Sequence, residues 1–204
     1  PDATAWQWDP ETGRRWKLAP GKRKNVLDIH LEPLESRLIV LEPAGSDEPA
    51  DACTPSAAAP ASRQSTRIDG PWTMELTPAV GKPFTVKARR LEDLSKSRRR
   101  DLRAFGGTVV YRTTFNLPEK PRRFLDIGTC HGAADVTING KPVGVRWWGR
   151  GPLDAGDALK PGRNVLEIKV AVVLVNYCLT LDDNPTAVQW TRTRKQVPVS
   201  TGLI

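Results

Sequence analysis

The chain has 204 residues, 39% of them hydrophobic, and its 31 Lys and Arg against 23 Asp and Glu give a formal charge of +8. That length supports one good core or two small ones, and it falls short of the roughly 250 residues of a (β/α)8 catalytic barrel. No run of about 18 apolar residues exists to cross a membrane, and the opening PDATAWQWDPETG is neither basic nor apolar enough for a signal peptide, so the chain reads as a mature or excised piece of something longer.

Residues 1–43 read as a partial β segment of a preceding domain. WDPETG is a turn punctuated by Pro10 and Gly13, and Leu38 to Leu41 form an apolar run suited to a buried strand, with Trp6, Trp8 and Trp16 packing around it. Residues 44–65 are rich in Ala, Pro and Ser and nearly free of large apolar side chains, which predicts a linker or a long exposed loop.

From 66 to 204 the pattern is all-β. Between Lys87 and Arg103 the sequence KARRLEDLSKSRRRDLR concentrates positive charge, with Leu91, Leu94 and Leu102 marking a short amphipathic turn or two under a solvated face. Val109, Tyr111, Thr113 and Phe115 share one face of the next strand, and FLDIG is a short strand. In ADVTINGKPVG, Asn139-Gly140 is the dipeptide that most readily adopts a type I′ turn. Ile138 and Lys141 then close that turn, Thr137 faces Pro142, and the missing N–H of Pro142 points away from the partner, as an edge strand allows. Pro161-Gly162 turns the chain into a long strand whose Leu166, Ile168, Val170 and Val172 point one way. No helical period interrupts this series, so a β-sandwich is expected over any α/β layering, with Trp72 and Trp190 closing its core.

Little of this sequence suits catalysis. Hydrolysis by a pair of carboxylates needs the two held about 5 to 10 Å apart across the scissile bond, whereas Asp182-Asp183 and Glu92-Asp93 are sequence neighbours that diverge on a strand and read as surface acids. His30 and His131 are the only histidines, and His131, in CHGAAD, reads as a turn residue between strands. GRGP at Gly149 to Pro152 lacks the Lys and the helix of a phosphate loop. Cys53, Cys130 and Cys178 are too few and too scattered for a disulfide framework or a zinc site.

The order of IDGPWTMELTP, FGGTVVYRTTF, LDIG, DVTINGKPVG, WWGRGPLDAGDALKPGRNVLEIKV and STGLI over residues 68–204 resembles the sugar-binding jelly-roll domain of glycoside hydrolase family 2. It is closer still to the C-terminal region of family 106 α-L-rhamnosidase-like proteins. The resemblance implies a galactose-binding-like β-sandwich, attached to a catalytic domain that this chain lacks, and an origin in a secreted or periplasmic bacterial protein. No catalytic residue carries over. Where the family has Trp-x-Asn-Arg-Leu-Ile-Gly-Asp, this chain has LVNYCLTLDD, and only Asn176 keeps its place. Such sandwiches commonly hold a structural calcium, for which Asp126, Asp154 and Asp157 offer hard oxygens near turns without a tight ligand spacing; no other cofactor is implied.

Sugars stack their C–H faces on exposed aromatic rings while polar groups fix the hydroxyls, and this chain has seven tryptophans. The candidate carbohydrate-binding residues are Trp147 and Trp148 with Arg146 and Arg150, joined by Asn176. Adjacent on an extended chain, the two indoles point in opposite directions, so at most one faces a ligand. The expected function is a non-catalytic, carbohydrate-binding region of a glycoside hydrolase, whose partners are a plant or bacterial polysaccharide and the parent's catalytic domain. Its alternatives are an interdomain brace without a sugar site and a basic nucleic-acid binder. The absence of aromatics among the residues 87–103 cations weighs against the last.

Overall fold

The computed structural model describes residues 3–10, 13–21, 23, 25–29, 31, 36–43, 65–118, 124–147, 152–193 and 196–204. The chain divides into two compact units, 1–63 and 64–204. The proposed linker lies outside the described residues apart from Ser65, as do Cys53 and His30.

In the first unit, β1 (Ala3–Trp8), β2 (Arg15–Lys17) and β3 (Leu38–Pro43) form an antiparallel sheet in the order β2-β1-β3. Gly13, at φ 71°, closes the β1–β2 turn by donating its N–H to the Asp9 carbonyl at 2.8 Å. Trp6 and Trp16 are buried, and the Arg15 guanidinium lies 4.8 Å from the centre of the Trp6 ring. Two expectations change here. Trp8 stays partly exposed, and β3 is not a buried strand, since Leu38 is 47% and Leu41 66% exposed. An apolar run specifies a strand, but only a second layer buries it.

The second unit begins with β4 (Trp72–Pro78) and β5 (Phe84–Ala88), then a 3-10 turn at Leu94–Lys96 and a short helix α1 (Arg100–Arg103). Next come β6 (Gly107–Leu117), β7 (Phe124–Leu125), β8 (Cys130–His131), β9 (Ala133–Ile138), β10 (Lys141–Arg146), β11 (Leu153–Asp154) and β12 (Gly162–Val172). Helices α2 (Val175–Cys178) and α3 (Pro185–Thr193) precede β13 (Gly202–Leu203). One antiparallel sheet runs β10-β9-β12-β6-β4-β5, while β11-β7 and β13-β8 are two-stranded.

Strict alternation decides which face of the large sheet is core. Met74 and Leu76 of β4, Val109 and Tyr111 of β6, Val136 and Ile138 of β9, and Leu166, Ile168 and Val170 of β12 all point inward and are buried. Leu125, Ile127, Ala155 and Leu203 from the short strands and their loops cover that face, with Leu94, Leu102 and Phe105 beside them. The result is an all-β sandwich. On the outward face Arg112 of β6 donates Nε to Glu167 of β12 at 2.6 Å and pairs with Glu75 of β4, so three neighbouring strands share one charge row.

The tight contact between layers explains one glycine. Gly202 sits at φ 87°, and a Cβ there would meet the Tyr111 hydroxyl at 2.4 Å. That hydroxyl accepts the Leu203 N–H at 3.4 Å, and burial pushes its pKa up to about 12.

Helix α3 corrects the expectation of an uninterrupted β series. Asn184 caps it by accepting the Ala187 N–H at 3.0 Å, and Pro185 occupies its first position. Trp190 therefore rides on a surface helix, 38% exposed, and does not close the core; Trp72, 5% exposed, does.

Candidate functional site

The β9–β10 hairpin is built as its residues dictate. Asn139 and Gly140 have φ of 54° and 77°, and the register pairs Lys141 with Ile138 and Pro142 with Thr137. Val143 is then bulged out, because Gly144 pairs with Val136. The Asn139 side chain locks the tip onto the sandwich: its amide nitrogen donates to the Ala158 carbonyl at 2.8 Å and to Asn164 Oδ1 at 2.9 Å, and its oxygen accepts the Val165 N–H at 3.0 Å. Asn164 is fully buried and completes the network by accepting from Lys160 N and donating to the Lys160 and Gly162 carbonyls. Lys141 adds an ammonium bond to the Asp157 carbonyl at 3.1 Å.

This clamp fixes the start of β10, an outer strand of the sheet, and hence the direction in which it delivers its last residues. Val145 is 59% and Trp147 60% exposed at that end. Arg146 is half-buried and pairs with the buried Ala134, so it lies on the inner-layer side. Burial pushes the Cys130 thiol pKa up, and the Arg146 charge pulls it partly back. Trp148 and Arg150 lie outside the described residues.

Asn176 is elsewhere. In α2 it is 4% exposed, donates to the Val199 carbonyl at 2.8 Å and Thr201 Oγ1 at 2.9 Å, and accepts the Val199 N–H at 2.9 Å. Both amide hydrogens are thereby used inside the domain, so Asn176 fastens the 199–201 segment to α2. Asp126 and Asp154 likewise spend an oxygen on a local turn, accepting the N–H of Gly128 at 2.9 Å and of Gly156 at 3.1 Å. Among the described residues no three His, Cys, Asp or Glu side chains gather as a metal site would require.

Neither acidic pair lies on a strand: Glu92-Asp93 precedes the 3-10 turn and Asp182-Asp183 sits in a turn, and one member is not a surface acid. Glu92 is exposed and accepts from Arg90 Nε at 2.8 Å, whereas Asp93 is 5% exposed. Asp93 Oδ1 accepts Ser95 N at 3.0 Å, Ser95 Oγ at 2.7 Å and Thr201 N at 2.9 Å, and its other oxygen faces Lys96 Nζ at 3.6 Å. Burial alone would raise its pKa. The bonds from Thr201, Ser95 and Ser200 outweigh burial and hold it near 2. His131 forms part of β8, opposite Gly202. Among the described residues Asp182 pairs with the exposed Arg192, at 3.9 Å.

No family model matches the chain. A putative beta-glucuronidase of Formosa agariphila is 32% identical over 108 residues, which are 50% of this chain and 9% of that protein. Among solved structures, a rhamnosidase from Novosphingobium sp. PP1Y matches with a TM-score of 0.72 and 26% identity, over 99% of this chain and 20% of that one. The chain is a glycoside-hydrolase-like region. It spans only a small part of both relatives, with sequence likeness to one and likeness of fold and sequence to the other.

Proposed function

We propose that this chain is a non-catalytic, carbohydrate-associated part of a rhamnosidase-like glycoside hydrolase, carrying a sandwich of the galactose-binding-like, jelly-roll kind. The observation that carries this reading is the rhamnosidase match, which takes in 99% of this chain but 20% of the relative. In this reading the parent's chemistry lies in the remainder, in a secreted or periplasmic bacterial protein. The region holds polysaccharide close to that chemistry and raises its effective concentration.

Trp147 is the residue on which the sugar stacks. It is exposed just beyond the end of β10, the strand whose starting turn the Asn139 network fixes. Trp148 and Arg150 follow it in sequence. The test is isothermal titration of the chain with rhamnose, galactose and neutral plant oligosaccharides, alongside Trp147→Ala. Saturable binding that the variant weakens at least about tenfold, with an unchanged melting temperature, is the expected result.

One set of exposures favours a second reading, an interdomain brace. Val173, Leu174, Trp190 and Val197, from the stretch that follows β12, are 57%, 45%, 38% and 66% exposed. Apolar surface of that kind suits a protein partner. The brace predicts silence across the sugar panel from a folded chain.

A further inference from the structure

The two edges of the six-stranded sheet are finished differently. β10 is closed to further pairing by Pro142, which lacks an outward donor, and by the bulge at Val143. β5 has neither device within it. The phase of its ladder follows from Ala79, whose N–H donates to the Gly106 carbonyl at 2.9 Å, one step beyond the Pro78–Gly107 pair. In an antiparallel sheet a residue turns both backbone groups to one side, and its neighbours turn theirs to the other. Thr73 and Glu75 therefore bond β6, while Trp72, Met74 and Leu76 bond Ala88, Val86 and Phe84 of β5. Thr85 and Lys87 are left with N–H and C=O groups aimed out of the sheet, and among the described residues no backbone group bonds them.

What this edge accepts is read from its two faces. On the inner face Phe84, Val86 and Ala88 pack against the core yet stay half-buried, so apolar surface remains for the side chains of one more strand. On the outer face Lys87 ends the row that runs through Glu167, Arg112 and Thr73. From Gly81 to Leu91 the chain carries Lys82, Lys87, Arg89 and Arg90 and no acid. Lys82, Lys87 and Arg89 are exposed and make no ion pair among the described residues. A second copy is disfavoured by the same feature, because pairing two β5 strands about a two-fold axis sets these cations against each other. We propose that the β5 edge docks an extended acidic segment of a protein partner by strand addition, with apolar residues alternating with Asp or Glu. Thr85 and Lys87 supply the backbone bonds, Phe84 and Val86 receive the apolar side chains, and Lys87 and Arg89 meet the carboxylates. The cations set the sign of the partner. The backbone template sets its form, since an extended peptide repeats paired N–H and C=O groups at the spacing of a strand. This site goes beyond the glycan reading and is independent of it, because Trp147 follows β10 at the opposite edge.

The whole chain would be titrated by NMR with a short capped peptide alternating Val and Glu, with its Lys-for-Glu analogue, and with the Glu peptide N-methylated throughout its backbone. The proposal expects saturable binding of the Glu peptide and none of the Lys analogue. The amides of Thr85 and Lys87 should exchange freely in the unbound chain and gain protection on binding, while those of Phe84 and Val86, already bonded to β4, change little. N-methylation keeps the charge but removes the donors, and should weaken binding at least about tenfold. Thr85→Pro removes an N–H that points out of the sheet, so it should leave the fold intact and weaken binding to a similar degree. Lys87→Glu should weaken it several-fold, and Trp147→Ala should leave it unchanged. Equal binding of the N-methylated peptide, or binding without protection of Thr85 and Lys87, would reduce the edge to a cation patch and overturn the proposal, whether or not Thr85→Pro folds. Failure of the folded chain to bind the Glu peptide would also overturn it, and would leave the Trp147 reading standing if neutral sugars bind. Silence across the sugars with Thr85-dependent peptide binding would instead remove the Trp147 reading alone.

Discussion

One edge of the large sheet is finished by ten or so consecutive residues, the other by residues 108 apart in the chain. At the β10 edge, the Asn139-Gly140 turn, the Pro142 without a donor and the bulge at Val143 end the sheet locally. At the β5 edge, the segment after Ala88 stays on the core because the Asp93 carboxylate accepts the Thr201 N–H, next to a strand from the far end of the unit. A local edge is robust and presents a small rigid platform. A tethered edge gathers charged side chains and depends on contacts distant in sequence: the buried Asp93, the Leu94 N–H bond to the Thr201 carbonyl at 3.0 Å, and buried Leu94 and Leu102.

That contrast breaks most severely at Asp93. Asp93→Ala removes the acceptor of three hydrogen bonds and leaves the Thr201 N–H without its partner, so the sandwich should lose about 3 kcal/mol in urea unfolding. At the other edge, Asn139→Ala both strains a residue at φ 54° and strands the Val165 N–H, and should cost about 2 kcal/mol. Asn139→Gly restores the backbone freedom but not the side-chain bonds, and should recover about half of that loss.

Acid sharpens the same comparison, because it removes the charge of Asp93 at the tethered edge. The folded pKa of Asp93, near 2, lies below the ordinary 3.8, so its contribution is complete above about pH 5 and is lost as pH falls through 2. That contribution is about 2 kcal/mol, and Asp93→Asn should flatten the stability profile between about pH 5 and 2 relative to the wild type. The smallest effect belongs to Pro142→Thr, which adds an N–H pointing away from the partner strand and should change stability by no more than about 0.5 kcal/mol.

Legibility in the sequence followed the same division. The hairpin register, the inward row of Leu166, Ile168 and Val170 and the face shared by Val109 and Tyr111 are written in periods of two and a turn dipeptide, and the structure reproduces each. The tether was not legible, since nothing near Asp93 names Thr201 as its partner. Helix α3 had a readable signal, an Asn184 cap followed by Pro185, which the surrounding strands overshadowed. β3 showed the limit of composition, because Leu38 and Leu41 specify a strand without supplying the layer to bury it. Of the candidate site, Trp147 and Arg146 fall on opposite sides of the end of β10, and Asn176, chosen by resemblance, fastens the chain internally.

The most direct test of a glycan-binding sandwich is an amide and indole NMR spectrum of the whole chain, recorded while neutral oligosaccharide is added. Binding at the β10 edge predicts a saturable shift of the Trp147 indole N–H and of its neighbours in β10, with the β5 edge unmoved. A spectrum of the folded chain in which no resonance shifts at any sugar concentration would contradict it.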